Sequence, residues 1–177
     1  YVNKLISISS GYKLSTLQTL HNLEQAYILD LGRESNTRNN EYLSLARMVA
    51  HTSWYENYIS QMIKVSSEIL NNDFKCSIAK APGAIELAAL AKNKLNINDF
   101  VGVIFMGIII RGETSHYDLV TQETYRSIGS LAENYYDIAI INNVLCVENE
   151  KQLIERLEKN TKNNTNALIN LIDEKSV

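Results

Sequence analysis

The polar segment most suited to chemistry is Arg111-Gly-Glu-Thr-Ser-His116, which directly follows a long apolar run. Free backbone N–H groups and hydroxyl groups at the start of a helix bind phosphate well. Gly112 can adopt backbone angles that other residues avoid, and Thr114 and Ser115 supply hydroxyl groups. The segment therefore predicts a phosphate cradle. A plain turn in which Thr114 or Ser115 caps a helix is the competing interpretation.

His116, at the end of this segment, is the candidate for proton transfer. An imidazole gains and loses protons near neutral pH, which suits general acid–base catalysis. A purely structural role is the competing interpretation for a single histidine. His21 and His51 give no metal-ligand spacing with His116, so we expect no metal site.

Three further side chains stand where a ligand could be contacted. Glu86, in the first turn of a predicted helix after Pro82-Gly83, offers two acceptor oxygens to hydroxyl groups or complements the helix dipole. Trp54 follows a predicted strand and either stacks on a flat heterocycle or packs against the core. Arg156, on a late helix, either pairs with a phosphate or lies on a solvated face beside Glu155.

The elements that must position these residues alternate between strand and helix patterns from about Leu45 onward. Strands are predicted over residues 45–50, 75–80, 101–110 and 138–145, the last interrupted by Asn142-Asn143. Helices are predicted over about 16 residues ending at Asn71-Asn72 and over residues 84–95, 118–135, 150–159 and 166–172, with a loop at 160–165. This order predicts an α/β fold in which helices cover both faces of a parallel four-stranded sheet, with right-handed crossovers. Ligands of such folds bind at the carboxyl ends of the strands, where the candidate residues lie.

Composition limits the possible functions. The 177 residues suffice for one domain, and the net charge of -3 argues against nucleic acid as the main partner. The longest apolar run, Val101 to Ile110, is too short to span a membrane. Cys76 and Cys146 are expected as buried thiols. Residues 1–42 do not fit the alternating pattern, and we expect them to form a helical or mobile N-terminal extension to a domain spanning residues 43–177.

Several motifs, in this order, resemble those of the lumazine synthase family. The stretch from Gly107 to Val120 is similar to its signature of a glycine, an apolar run and Arg-Gly-Glu-Thr-x-His-[Phe/Tyr]-Asp-x-Val. The stretch from Ala81 to Leu87 is similar to Val-Pro-Gly-Ala-Phe-Glu-Ile. The stretch from His51 to Trp54 resembles the aromatic motif of the family. The stretch from Val144 to Arg156 resembles its strand, the Thr-Glu-Asn segment after it and the helix that follows. The resemblance runs from Leu45 to the carboxyl end.

The resemblance implies a flavodoxin-like three-layer sandwich assembled into homopentamers, sometimes closed into a 60-mer shell, with active sites between subunits. It implies a cofactor-free transferase of riboflavin biosynthesis, 6,7-dimethyl-8-ribityllumazine synthase. This enzyme condenses 5-amino-6-ribitylaminouracil with 3,4-dihydroxy-2-butanone 4-phosphate and releases phosphate and water. We expect a cytoplasmic location, and an organelle stays an open alternative because the chain begins at Tyr1 rather than Met.

The resemblance also implies roles for individual residues. Trp54 would stack on the pyrimidine, while Ala84, Ile85 and Glu86 would hold the ring and the ribityl chain. Asn142 stands where the family has an aromatic residue that walls the ring pocket. His116 would move protons. The phosphate would be held by one loop and by a neighbouring subunit, through Gly112, Glu113, Thr114, Ser115 and Arg156.

Departures from the family pattern leave alternatives open. Ser53, Tyr55, Ile85 and Asn142-Asn143 replace customary residues, and the family's late lysine aligns with Asn164, although Lys162 is near enough to substitute if the loop shifts. We expect a working but slow enzyme. The main alternative is a non-catalytic lumazine synthase-like shell or scaffold protein. An archaeal-type riboflavin synthase or a generic flavodoxin-like binding module are further alternatives.

Overall fold

Four strand–helix units follow one another along residues 46–70 and 76–176, the part of the chain that the computed structural model describes. The expected extension over residues 1–42 and its boundary lie outside these residues. The elements in chain order are β1 (Ala46–Thr52), α1 (Glu56–Leu70), β2 (Cys76–Ala81), α2 (Leu87–Leu95), β3 (Phe100–Ile110), α3 (His116–Asn134), β4 (Ala139–Val147) and α4 (Glu150–Lys175).

The strands form one parallel sheet in the order β2-β1-β3-β4. Parallel strands covered on both faces are apolar throughout, and β3 is buried along nearly its whole length. One face packs against α2 and α3, with Phe105, Leu87 and Ile128 in its core. The other face packs against α1 and α4, with Ile104, Met62 and Leu153 in its core. The predicted three-layer α/β fold with a four-stranded parallel sheet is confirmed.

The carboxyl-terminal part of the chain forms one helix, so the prediction of two helices with a loop at residues 160–165 is wrong. Helix α4 has 26 residues, and its buried side recurs every three or four positions at Leu153, Leu157, Thr161, Thr165, Leu168 and Ile172. Residues 160–165 are all polar, which is typical of a loop, but two of them are threonines on the buried side of the helix. Both are fully buried within the helix's inward-facing stripe. None of the four described helices is long and apolar enough to cross a membrane.

Strand β4 is also continuous, contrary to the predicted interruption at Asn142-Asn143. Asn143 is buried beneath α4, where its side-chain N–H donates to Thr161 Oγ1 at 3.3 Å. The Asn143 side-chain oxygen, Oδ1, accepts a hydrogen bond of 2.7 Å from the Asn164 side chain. A buried amide is tolerated when its polar atoms are paired. The strand therefore continues through a polar residue because α4 supplies the partners.

A second pair of buried hydroxyl groups joins α4 to α1. Ser66 Oγ and Thr165 Oγ1 lie 2.6 Å apart, and the Thr165 hydroxyl donates to the Thr161 carbonyl at 2.7 Å. Both side chains are fully buried. With Thr165 donating to the helix backbone, Ser66 is left as the donor between the two hydroxyls. Thr165 is thus the partner of the Ser66 hydroxyl.

Replacing Thr165 with valine tests this pairing. Valine has nearly the same shape, so the change leaves the Ser66 hydroxyl buried without the partner described above. We expect the free energy of unfolding to fall by about 1–3 kcal/mol. The double variant Ser66→Ala/Thr165→Val removes both hydroxyls and should recover part of that loss. Urea unfolding at one fixed protein concentration measures both. A double variant less stable than Thr165→Val alone would contradict the pairing.

Candidate active site

A cavity of about 390 Å³ lies at the carboxyl ends of β1 and β3. The sheet order reverses between these strands, since the chain leaves β1 toward β2 on one side and β3 toward β4 on the other. Open parallel sheets bind ligands at such a point. The lining side chains come from the two strand ends and three neighbouring loops: Thr52, Trp54, Tyr55, Gly83, Ala84, Ile85, Glu86, Ile108, Ile109, Ile110, Gly112, Thr114, His116, Tyr117 and Val120.

The turn after β1 leaves Trp54 at the cavity without packing it in the core. The indole is 67% exposed, so the packing interpretation of this residue is wrong. Tyr55 has a φ of 58°, the one positive value outside glycine in the described residues. Its carbonyl accepts the N–H groups of Tyr58 and Ile59, which starts α1. Ser53 Oγ donates to the Ala81 carbonyl at 2.9 Å and ties this turn to the end of β2.

The loop after β2 brings Ala84, Ile85 and Glu86 to the opposite wall of the cavity. Helix α2 begins at Leu87, three residues later than predicted, because residues 84–86 form a turn whose Ala84 carbonyl accepts from Leu87 N. A Cβ added at Gly83 would lie 2.8 Å from Glu86 Oε2. Gly83 therefore makes room for the Glu86 carboxylate. Glu86 makes no side-chain capping bond to the helix.

The loop after β3 carries Gly112, Thr114 and His116 to the cavity. Ser115 precedes α3 but makes no side-chain capping bond, and Thr114 Oγ1 accepts from His116 N only at a long 3.4 Å. Helix α4, by contrast, is capped by Asn149, whose side chain accepts from Gln152 N at 3.0 Å. The first N–H groups of α3 therefore have little competition from its own side chains, as an anion site requires.

Gly112 does not play the conformational role expected of it. None of the glycines within the described residues has a positive φ. A Cβ at Gly112 would meet no atom within 4 Å. The space beside it is open because it lies at the cavity, so the absence of a side chain matters for access to the loop rather than for its backbone angles.

Arg111 contacts this loop from outside the cavity lining, and no role was predicted for it from the sequence. Its Nε donates to Glu148 Oε2 at 2.7 Å, and its two Nη atoms donate to the two Asp118 carboxylate oxygens at 3.2 and 2.9 Å. The guanidinium lies 4.0 Å from the centroid of the Tyr117 ring. Hydrogen bonding to Arg111 lowers the pKa of Asp118 below its usual value. Burial raises the pKa of Tyr117.

Four of the candidate residues do not line this cavity. Glu113 and Ser115 are exposed in the loop next to it. The Asn142 side chain is half-buried, and its Oδ1 accepts from Val144 N at 2.9 Å. Arg156, on α4, donates to the Gln152 carbonyl at 3.1 Å and lies 3.5 Å from Glu155 Oε2.

The proposed substitute for the family's late lysine also finds other partners. Lys162 lies on α4 rather than in a loop, and its Nζ is 2.6 Å from Glu158 Oε1. Asn164, which aligns with that lysine, is bonded to the Asn143 side chain. The expected loop around Lys162 is therefore wrong, because both residues lie on α4.

Sequence reasoning missed the apolar and aromatic part of the lining. Ile108 and Ile110 lie in the predicted strand and Val120 lies in the predicted helix, while Tyr117 has no predicted role. Helical spacing was the available signal, because residues four apart lie on one helix face, and His116 and Val120 are separated by four. No group of three or more His, Cys, Asp or Glu side chains that could hold a metal ion occurs in residues 46–70 and 76–176.

Comparison with known proteins identifies the family. The family model described as 6,7-dimethyl-8-ribityllumazine synthase matches residues 44–175. A protein of that name from Neisseria gonorrhoeae is 39% identical over 102 residues, which are 55% of this chain and 64% of that protein. One from Neisseria meningitidis serogroup B is 36% identical over 104 residues, 56% of this chain and 65% of that protein. The match thus spans slightly less than two thirds of these relatives. Because the family model covers most of the chain and its motifs line the cavity, the chain belongs to the 6,7-dimethyl-8-ribityllumazine synthase family.

Proposed function

We propose that this protein is a transferase of riboflavin biosynthesis that makes 6,7-dimethyl-8-ribityllumazine. It condenses 5-amino-6-ribitylaminouracil with 3,4-dihydroxy-2-butanone 4-phosphate and releases phosphate and water, without a cofactor. One observation carries the proposal: a single cavity is lined by an exposed indole, a free carboxylate, the start of an uncapped helix and an imidazole. These are the groups that a flat heterocycle, a polyol, a phosphate and a proton transfer require.

The first substrate is held between the turn after β1 and the loop after β2. The exposed face of Trp54 stacks on the pyrimidine, and Ala84 and Ile85 bound the ring from the other side. Glu86 accepts hydrogen bonds from the ribityl hydroxyls. A cavity of about 390 Å³ is within the range of small-molecule sites. Asn142 is withdrawn from the lining, so in this protein the ring is held mainly by Trp54 and Ile85.

The phosphate is held at the start of α3. The backbone N–H groups of residues 112–115 and the hydroxyls of Thr114 and Ser115 supply the donors, with Glu113 part of the same loop. A helix of 19 residues adds its positive N-terminal dipole to them. Because the helix has no side-chain cap, no capping hydrogen bond has to break when these donors bind the phosphate.

His116 moves the protons of the reaction. Attack of the amine on the ketone, loss of water, elimination of phosphate and ring closure each transfer a proton, and one imidazole can serve successive steps. His116 stands at the first position of α3, beside the proposed phosphate cradle. The leaving phosphate and the proton carrier are therefore close together. Holding both substrates in this cavity contributes up to about 7–11 kcal/mol toward the barrier in favourable cases.

Arg156 completes the phosphate site from a neighbouring subunit of a homopentamer. Two findings support this part of the proposal: Arg156 is absent from the lining of its own cavity, and its side chain is about half exposed on α4. A guanidinium presented to a neighbour can make two parallel bonds to a phosphate. We also propose a cytoplasmic location for the assembly.

The wild-type protein should form the fluorescent lumazine when supplied with both substrates. We expect one phosphate released per lumazine, because each condensation consumes one molecule of the phosphate ester. Fluorescence and a phosphate assay measure the two products in the same reaction, and omission of either substrate is the control. A folded protein that yields neither product would contradict the proposed enzyme and would favour the non-catalytic scaffold.

His116→Ala should lower kcat by about 10²–10⁴-fold and leave a measurable residual activity, because substrate positioning survives without the imidazole. Added imidazole should restore part of the lost rate by entering the space of the missing ring. Steady-state kinetics with and without imidazole measure both effects. An unchanged kcat would remove His116 from proton transfer. Complete loss of activity with intact substrate binding would contradict the weight given to positioning.

Arg156→Ala should raise the KM for the phosphate substrate by about 10-fold or more, since a charge-assisted contact of at least about 1.5 kcal/mol is lost. Lys159→Ala, one turn away on the same helix, is the matched control and should leave that KM unchanged.

A site shared between subunits predicts complementation. Co-assembled His116→Ala and Arg156→Ala subunits should show more activity than either variant alone, because some interfaces pair an intact His116 with an intact Arg156. Native mass measurement establishes that mixed pentamers have formed. Mixed pentamers without any gain in activity would place both residues in the same subunit's site.

A further inference from the structure

Arg111 joins the ends of β3 and β4 to the first turn of α3. Its backbone N–H donates to the Val147 carbonyl at 2.9 Å, which anchors the end of β3 on the end of β4. Its Nε binds Glu148 just beyond β4, and its two Nη atoms bind both oxygens of Asp118 in the first turn of α3. One planar group therefore spans the loop from residue 112 to residue 117.

The same guanidinium also covers the side chain that follows His116. It lies 4.0 Å from the centroid of the Tyr117 ring, a distance at which cation and ring attract. Tyr117 lines the cavity, whereas Arg111 does not. Arg111 thus contacts the residues directly after His116 without reaching the cavity itself.

These contacts orient the loop after β3 more than they stabilise the fold. The Arg111 side chain is 35% exposed, and Asp118 and Glu148 are 59% and 53% exposed. Exposed ion pairs contribute little to folding because water competes for both charges. A planar guanidinium that bonds to two carboxylates nonetheless restricts the orientation of the loop between them. The arrangement is therefore suited to holding a loop in place.

We propose that Arg111 is a positioning residue for the active site: its fork holds the β3–α3 loop so that Thr114 and His116 stay aligned with the cavity. The proposal rests on the proposed function, because it assigns those two residues to phosphate binding and proton transfer. Arg111 acts through Asp118, Glu148 and Tyr117. It does not touch the substrates.

The kinetic test compares Arg111→Gln, Arg111→Lys and a control. Arg111→Gln should lower kcat by about 10–100-fold, since small displacements of reacting groups cost up to about 10²-fold. Its melting temperature should fall by no more than about 4 °C. Arg111→Lys keeps the charge but not the fork and should be intermediate. Arg126→Gln removes a similar two-bond pair with Glu123 on the same helix and should leave kcat unchanged. Wild-type kcat in either Arg111 variant would overturn the proposal.

Hydrogen exchange separates failure of this proposal from failure of the proposed function. In Arg111→Gln, the amides of Asp118 and Leu119, which donate to the Ser115 carbonyl at the end of the loop, should exchange about 10-fold faster than in the wild type, because the loop opens locally. Those of residues 103–107 in β3 should not change. This measurement needs no substrate, so it tests whether Arg111 holds the loop even if the wild-type protein forms no lumazine. Unchanged exchange at Asp118 and Leu119 would overturn the positioning role of Arg111, whatever the wild-type turnover.

Discussion

The pairing of β1 with β3 is the constraint on which the candidate site depends. In their parallel register His51 stands beside Met106, so the two strands deliver their following loops to the same edge of the sheet. Strand β2 on the far side of β1 adds the loop that contains Gly83 and Glu86. Trp54 and His116 are therefore brought to one cavity, although 62 positions separate them in the chain. The apolar faces above and below the sheet make this pairing stable.

The buried polar side chains beneath α4 have partners within the chain, whereas the helix starts at the cavity have no side-chain caps. Beneath α4, buried Asn143, Thr161 and Thr165 find partners within the chain. Helix α4 is capped by Asn149, whereas α2 and α3 begin at the cavity without side-chain caps. Unpaired N–H groups are tolerated where water or a ligand reaches them. Two of the described helices thus present uncapped starts to the cavity where the substrates are proposed to bind.

The departures from the family pattern fall into two physically distinct sets. Asn143 and Asn164 bond to each other and stabilise the contact of β4 with α4. The two changes compensate for one another away from the cavity. Ile85 lines the cavity, and Asn142 has turned its side-chain oxygen to the backbone of Val144. These two changes alter the wall of the cavity where the pyrimidine ring is proposed to bind. They leave the His116 imidazole and the loop after β3 unaltered.

Much of this protein is determined locally and was therefore predictable from the sequence. The unbroken apolar run at residues 101–110 indicated a buried central strand, and the segment from Arg111 to His116 indicated a helix start at its end. Three features were not predictable: the helix at residues 160–165, the bond between Asn143 and Asn164, and the contacts of Arg111. Each depends on a partner far away in the chain, such as Ser66 for Thr165 or Glu148 for Arg111. Periodicity reports which face of an element is apolar. Only the tertiary structure decides whether a polar side chain on that face meets a partner.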